Sequence, residues 1–303
     1  MTVSTTTGGA TAGHPSPARD AGQSGRPDPG PPHAPAAAPV GSPGGSGPAV
    51  RATLRVLRRI VVRSAAIVAF LALWELTPRV GLVEATWLPP FSTVAAAIAD
   101  LALSGALFEH VAISLQRSLL GFLIAIAVSV PLGLLIAWYR PLAEVLDPLL
   151  EIFRNTAALA LLPVFVLILG IGELSKVSLI VFACVWPILL NTISAVRDVD
   201  PLLIKSARSI GLSSPRLFQK VILPAAVPTI FTGIRLAGAV SILVLIAAEM
   251  VGAKAGLGYL INASQVNFLI PEMYAGIVTV SAIGVGFNYV LVRIERRLSR
   301  WRT

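Results

Sequence analysis

The stretch LLGFLIAIAVSVPLGLLIAWY, Leu119 to Tyr139, decides what kind of molecule this is. Its 21 residues carry no charged group. At about 1.5 Å of rise per residue, a helix of that length crosses the roughly 30 Å hydrocarbon layer of a bilayer. The run lacks period-two alternation, and backbone exposed to lipid must satisfy its own hydrogen bonds, so a helix is expected here and a strand is not. Five more apolar stretches accompany it: about Ile60 to Thr77, Thr156 to Gly172, Val177 to Val196, Val227 to Val251 and Met273 to Val292. The first includes Arg63 and Glu75, and the fifth in chain order holds Arg235 near one end and Glu249 near the other. Only Glu173 to Lys176 separates the third and fourth, which predicts a tight antiparallel hairpin. Pro131, Pro163 and Pro187 interrupt three of the spans and are expected to kink them, since each removes a backbone donor.

The composition agrees. The chain of 303 residues is 55% hydrophobic and 13% charged, with a mean hydropathy of +0.80. A soluble domain carries about 25% charged residues. The net charge of +9 could suggest a nucleic-acid partner, but the basic residues flank apolar runs, which favours a lipid bilayer and no nucleic acid. The single cysteine, Cys184, lies within an apolar run and reads as buried packing without an intrachain disulfide. Residues 1–50 differ in kind, with 10 Pro, 10 Gly and no Leu, Ile or aromatic. They read as a disordered tail that lacks the apolar run of a secretory leader, and residues 51–303 read as the membrane domain.

Charge also predicts the orientation. With both termini in the cytoplasm, the inner segments hold 17 Arg and Lys and the outer segments hold 4: Arg79, Arg117, Lys176 and Lys254. That is a strong positive-inside bias. It places the segment KSARSIGLSSPRLFQKVILP, Lys205 to Pro224, in the cytoplasm between the fourth and fifth spans. The segment has four basic residues and no acid. Leu203, Ile204, Ala207 and Ile210 recur at helical spacing, and Gly211 is a natural helix stop. Ser214 reads as the cap of a second short helix, with Pro215 in its first position and a turn into the fifth span at Leu223-Pro224. Such a helix could rest on anionic lipid or dock a protein, and periodicity alone leaves both open.

The residues here resemble a known signature. Lys205-Ser206-Ala207, Gly211, Val221 and Leu223-Pro224 keep the spacing of the cytoplasmic loop of ABC importer permeases, which reads Glu-Ala-Ala, three residues, Gly, nine residues, Ile, one residue, Leu-Pro. Lys205, Ser206 and Val221 depart from it, and Lys205 reverses a charge. Further pieces resemble the branch that includes nitrate, sulfonate, taurine and bicarbonate permeases: LQRSLLGF (Leu115 to Phe122), LPVFVLILGIGELSK (Leu162 to Lys176), WPILLNT (Trp186 to Thr192), VILPAAVP and AEMVGAKAGLGYLI (Ala248 to Ile261). Together they cover about residues 115–293.

The resemblance implies an all-α integral membrane protein of the type I importer permease fold, with six transmembrane helices and cytoplasmic termini. It implies two ATPase subunits, an external solute-binding protein and a second copy of the chain around a shared pathway. Residues 202–224 would couple to the ATPase, with Lys205, Ser206, Ala207, Arg208, Gly211, Leu223 and Pro224 as the coupling residues. The solute would be a small anion such as a sulfonate, nitrate, taurine or bicarbonate, carried across the cell membrane.

The chain itself carries no G-x-x-x-x-G-K-[ST] phosphate loop, so ATP and Mg would sit on the partner and no cofactor on this chain. No catalytic or metal-ligand constellation appears; His110 stands alone and reads as a surface residue. The expectation is a transport subunit and not an enzyme, the alternative being a secondary carrier or channel. Three polar residues inside spans are pathway candidates: Asn191 beside Pro187, Arg235 at the inner end and Glu249 near the outer end. Glu249 would either shape the outer end of the pathway or reach to the interface.

Overall fold

The computed structural model describes residues 65–298, and all of their regular structure is helical. The tail at 1–50, the basic cluster Arg51 to Arg63 and the terminal Arg300 and Arg302 lie outside the described residues. A first helix, α1, covers 65–79. There follow α2 (Phe91–Leu103), α3 (Ala106–Trp138), α4 (Arg140–Arg154), a 3-10 turn (Ala158–Leu161), α5 (Leu162–Leu169) and α6 (Glu173–Arg197). Then come α7 (Pro201–Ser209), α8 (Ser214–Leu217), a π turn (Phe218–Ile222), α9 (Leu223–Met250), α10 (Leu257–Val266) and α11 (Ile270–Leu298).

Among the described residues, four helices are long and apolar enough to cross a membrane: Ala106–Trp138, Glu173–Arg197, Ser214–Met250 and Ile270–Arg297. The third expected span is not one straight helix. Pro141–Arg154 and Ala158–Leu169 meet at 84°, and counting them as one broken span gives five. The break falls at 155–157, ahead of Pro163, which sits in the first turn of α5 where a missing N–H leaves nothing unpaired. Pro131 and Pro187 lie inside α3 and α6, which run on through them as single helices. Glu75 of the first span caps α2: its carboxylate accepts Ser92 N–H at 2.9 Å and Ser92 Oγ at 2.9 Å.

The centre is built on α6. It runs parallel to α3, since Gly121 meets Ile180 and Gly133 meets Thr192. It runs antiparallel to α9, where Gly233 meets Asn191 and Pro187 and the Cys184 thiol donates to Ala237 O at 3.4 Å. On its other side α9 is antiparallel to α11, with Gly238 against Leu291. Lipid tails are as apolar as leucine, so helices in a bilayer gain most from close backbone approach at small residues. A Cβ added at Gly233 would lie 2.6 Å from Asn191 Cβ and 2.8 Å from Pro187 O. Small hydroxyls reinforce the seams: Ser118 and Ser241 hydroxyls are 3.2 Å apart between α3 and α9.

The expected turn at Leu223-Pro224 is absent. Ser214 to Met250 is one helical run of 37 residues, about 55 Å at helical rise. Its irregularity is the π turn at Phe218–Ile222, immediately before Pro224. Pro224 has no N–H for the Lys220 carbonyl, and Pro228 has none for Pro224, so the ladder slips to a wider register. Trp138 at the end of α3 packs edge-on against Phe218 in this turn, with ring centroids 4.8 Å apart.

Gly233→Val should therefore separate α6 from α9 and cost about 1–3 kcal/mol, read as a lower midpoint of thermal unfolding in detergent. Gly284→Ala is the control: no atom lies within 4 Å of its added Cβ, and it should leave the midpoint unchanged or raise it.

Candidate functional site

Two polar features stand at opposite ends of α9. The first is the elbow of α7, Gly211 and α8. Asp200 begins it, its carboxylate accepting Leu202 N–H at 2.8 Å while Pro201 fills the first helical position. Ala207 is the buried contact of α7 with the bundle, joined by Ile204 and Leu212. Gly211 ends the helix at φ 79°, a left-handed conformation that suits glycine. Its N–H donates to Arg208 O at 2.9 Å, and Leu212 N–H donates to Ala207 O at 3.2 Å. The cap of α8 is Ser213 and not Ser214; its side chain makes no capping bond, and Pro215 stands second in the helix.

Lys205, Ser206, Ala207, Arg208 and Gly211 thus share one elbow, whereas Leu223 and Pro224 stand at the start of α9 beyond the π turn. Lys205, Ser206 and Arg208 are exposed. Beside them Leu202 is 68% exposed and Ile210 78%. Among the described residues, Lys205, Arg208, Arg216 and Lys220 form no ion pair.

The second feature is a buried ionic network at the far end of α9. Glu249 is 1% exposed. Its carboxylate accepts Arg117 Nη1 at 2.7 Å, Ser114 Oγ at 2.8 Å and Gly258 N–H at 2.9 Å. Arg117, on α3, also donates to Ala255 O at 2.7 Å and grips Glu173 with both edges of its fork, Nε to Oε2 at 2.5 Å and Nη2 to Oε1 at 2.6 Å. Leu257 N–H donates to Ser114 Oγ at 2.8 Å, and Gly256 N–H to His110 Nδ1 at 3.1 Å. The first turn of α10 is thereby folded around the Glu249 carboxylate. Gly256, at φ 120°, fits because a side chain there would collide with that carboxylate. Lys176, 3% exposed, donates to Gly172 O at 3.0 Å and stiffens the turn between α5 and α6.

The other two candidates lie elsewhere on α6 and α9. Asn191 donates its side-chain amide to Pro187 O at 2.8 Å and faces Gly233 at the α6–α9 crossing. Arg235 pairs with Glu295 at 3.2 Å, tying α9 to α11. Asn191, Arg235 and Glu249 are not gathered into one site. The reading of the sequence missed Ser114 and Arg117 because it began the second span at Leu119, and Glu173 and Lys176 because it began the fourth at Val177, whereas α6 starts at Glu173. Helix α3 begins at Ala106, which carries Arg117 three turns into it. The readable signal was charge of both signs beside apolar runs at one expected depth.

Comparison with known proteins fits this architecture. Residues 129–302 match the family described as binding-protein-dependent transport system inner membrane component. The chain is 35% identical over 232 residues to the putative aliphatic sulfonates transport permease protein SsuC of Bacillus subtilis (strain 168), covering 77% of this chain and 84% of that one. It is 30% identical over 249 residues to the taurine transport system permease protein TauC of Escherichia coli (strain K12), covering 80% and 90%. A chain of the MetNI methionine ABC transporter, solved in inward facing conformations, shares the fold at a TM-score of 0.54 and 19% identity, covering 65% of this chain and 95% of that one.

Glu249→Ala leaves Arg117 buried with one carboxylate fewer and strips Gly258 N–H and Ser114 Oγ of their acceptor. The expected cost is about 3–5 kcal/mol. Trypsin should then cut after the exposed Lys254 faster than in the unsubstituted protein, as seen by timed digestion and gel.

Proposed function

This chain belongs to the family of binding-protein-dependent transport system inner membrane components, and we propose that it is the permease subunit of an ATP-driven importer for a small organic anion of the sulfonate or taurine kind. Six spans with cytoplasmic termini make up the subunit in this reading. A second copy completes the pathway, ATPase subunits dock from the cytoplasm, and a solute-binding protein delivers from outside. ATP and Mg belong to the ATPase.

The observation that carries the reading is the α7 elbow. A short capped helix presents Leu202 and Ile210 together with exposed Lys205 and Arg208, which form no ion pair among the described residues, and is seated on the bundle through Ala207. An apolar knob rimmed by positive charge suits a groove with an acidic edge on an ATPase. The elbow leads through Pro215 into the 37-residue run of α8 and α9. Closure of an ATPase pair would move α7, and the motion would pass through the Gly211 elbow and the π turn into α9. The other reading, the same face resting on anionic lipid, would bury Leu202 and Ile210 at the headgroup boundary, and the test below separates the two.

The test is Leu202→Glu combined with Ile210→Glu. Both side chains are solvent-facing, so insertion and thermal midpoint of the isolated permease should hold. Recovery of the cognate ATPase with the tagged permease should fall at least tenfold, and ATP-dependent uptake with it. Full recovery of the ATPase would refute the docking.

A further inference from the structure

The ionic network at the outer end is unbalanced in one respect. Two cations are buried there, Arg117 at 6% exposure and Lys176 at 3%. Among the described residues one carboxylate, that of Glu249, is buried with them. The second carboxylate, Glu173, has a side chain 65% exposed, although it takes both edges of the Arg117 fork. Burying a charge is costly unless it is paired, so the buried part of the network needs one more negative charge than it owns. Glu173 supplies it from solvent, on the first residue of α6.

The two carboxylates on Arg117 are therefore not equivalent. Glu249 cannot leave, because Ser114 and Gly258 hold it as well and Gly256 presses on it. Glu173 has no comparable fixing, since Arg117 is its hydrogen-bonding partner among the described side chains. A carboxylate that swings into water regains its hydration. What it leaves behind is a preformed guanidinium fork, anchored on its far side by Glu249 and Ala255 O. Such a fork matches any oxyanion that offers two oxygens at the spacing of a carboxylate, and sulfonate is one.

The surroundings fit the rest of such a molecule. A cleft of about 310 Å³ opens beside the fork, lined by Ile113, Gln116, Arg117, Leu120, Glu173 and Val177. Gln116 adds a polar contact next to the guanidinium, and Ile113, Leu120 and Val177 make an apolar wall. One end of the cleft suits an oxyanion and the other an alkyl group.

We propose that Glu173 is an exchangeable counter-ion on Arg117, and that a small aliphatic sulfonate replaces it, with its head on the guanidinium fork and its alkyl part against Ile113, Leu120 and Val177. This is a binding subsite on the outer part of the α3–α6 groove. It deepens the proposed function, since it rests on the solute being an organic anion, and assigns the first residue that would meet it inside the membrane subunit.

The experiment needs neither ATPase nor uptake, so its outcome is separate from that of the docking test. Purified permease in phosphatidylcholine nanodiscs is titrated with methanesulfonate, with sodium chloride at matched ionic strength as the blank, and the shift in unfolding midpoint is fitted to an apparent Kd. Glu173→Gln removes the competing charge and should lower that Kd at least threefold, while Glu173→Asp, with a shorter reach, should fall between. Arg117→Lys should abolish the response, and Leu120→Trp, which fills the cleft and leaves the network intact, keeps the test decisive if Arg117→Lys unfolds. A purely structural Glu173 would lower the starting midpoint in Glu173→Gln and leave the Kd unchanged, which overturns the proposal. A methanesulfonate response seen in phosphate-free dodecyl maltoside and absent in the phosphatidylcholine nanodisc would assign the fork to a lipid phosphate and overturn it equally.

Discussion

Arg117 on α3 holds one carboxylate from α6 and one from α9, and the arrangement of that end of the bundle follows from the grip. In a bilayer there is little hydrophobic force between helices, so their relative height must be fixed by something directional. Here it is a planar cation with partners on three elements, reaching Ala255 O in the loop ahead of α10 as well. The loop cannot drift, because its backbone donors close on Glu249, Ser114 and His110. Below that level the helices meet at Gly121, Gly133 and Gly233, where backbone approach replaces polar contact. The order along α9 is therefore polar fixing at its Met250 end, close packing through the middle and a projecting elbow at its Leu223 end.

Much of this was legible in the sequence, for a simple reason: an uncharged run of 21 residues has few alternatives to a membrane helix. The Gly211 stop and the helix before it were equally plain, since glycine after a basic amphipathic turn has one common use. What could not be read were events that depend on neighbours. The 84° break between α4 and α5 falls where no proline stands, beside an aromatic group in which Phe153 stacks on Trp186 at 5.0 Å. The absence of a turn at Leu223-Pro224 has a similar origin. Proline ends a helix only when its missing bond finds no substitute, and the π turn supplies one. Arg117 escaped notice because hydropathy shortens a helix at its first charge, whereas a buried guanidinium with two carboxylates lets α3 begin at Ala106.

The polar candidates teach a related lesson. Asn191, Arg235 and Glu249 each looked available because a sequence shows a polar group without showing its partner. In the fold Asn191 gives one amide N–H to Pro187 O, Arg235 gives one donor to Glu295, and Glu249 is held on several sides by the network. A polar residue in an apolar helix is as often part of the scaffold as part of a pathway, and the difference lies in whether its hydrogen-bonding capacity is already used.

The same bookkeeping separates the two ends of α9 by strength. Toward the α7 end the tie is Arg235 to Glu295, with side chains 40% and 23% exposed, and a pair so wetted contributes at most about 1 kcal/mol. At the Glu249 end, removing one partner of a buried network costs about 3–5 kcal/mol. Between them α9 is continuous with α8 through the π turn. In the proposed coupling, a displacement delivered at α7 meets the wetted Arg235–Glu295 pair first and the buried Arg117 network last. That network is then the natural pivot, and Glu173 is the partner in it that Arg117 alone holds among the described side chains.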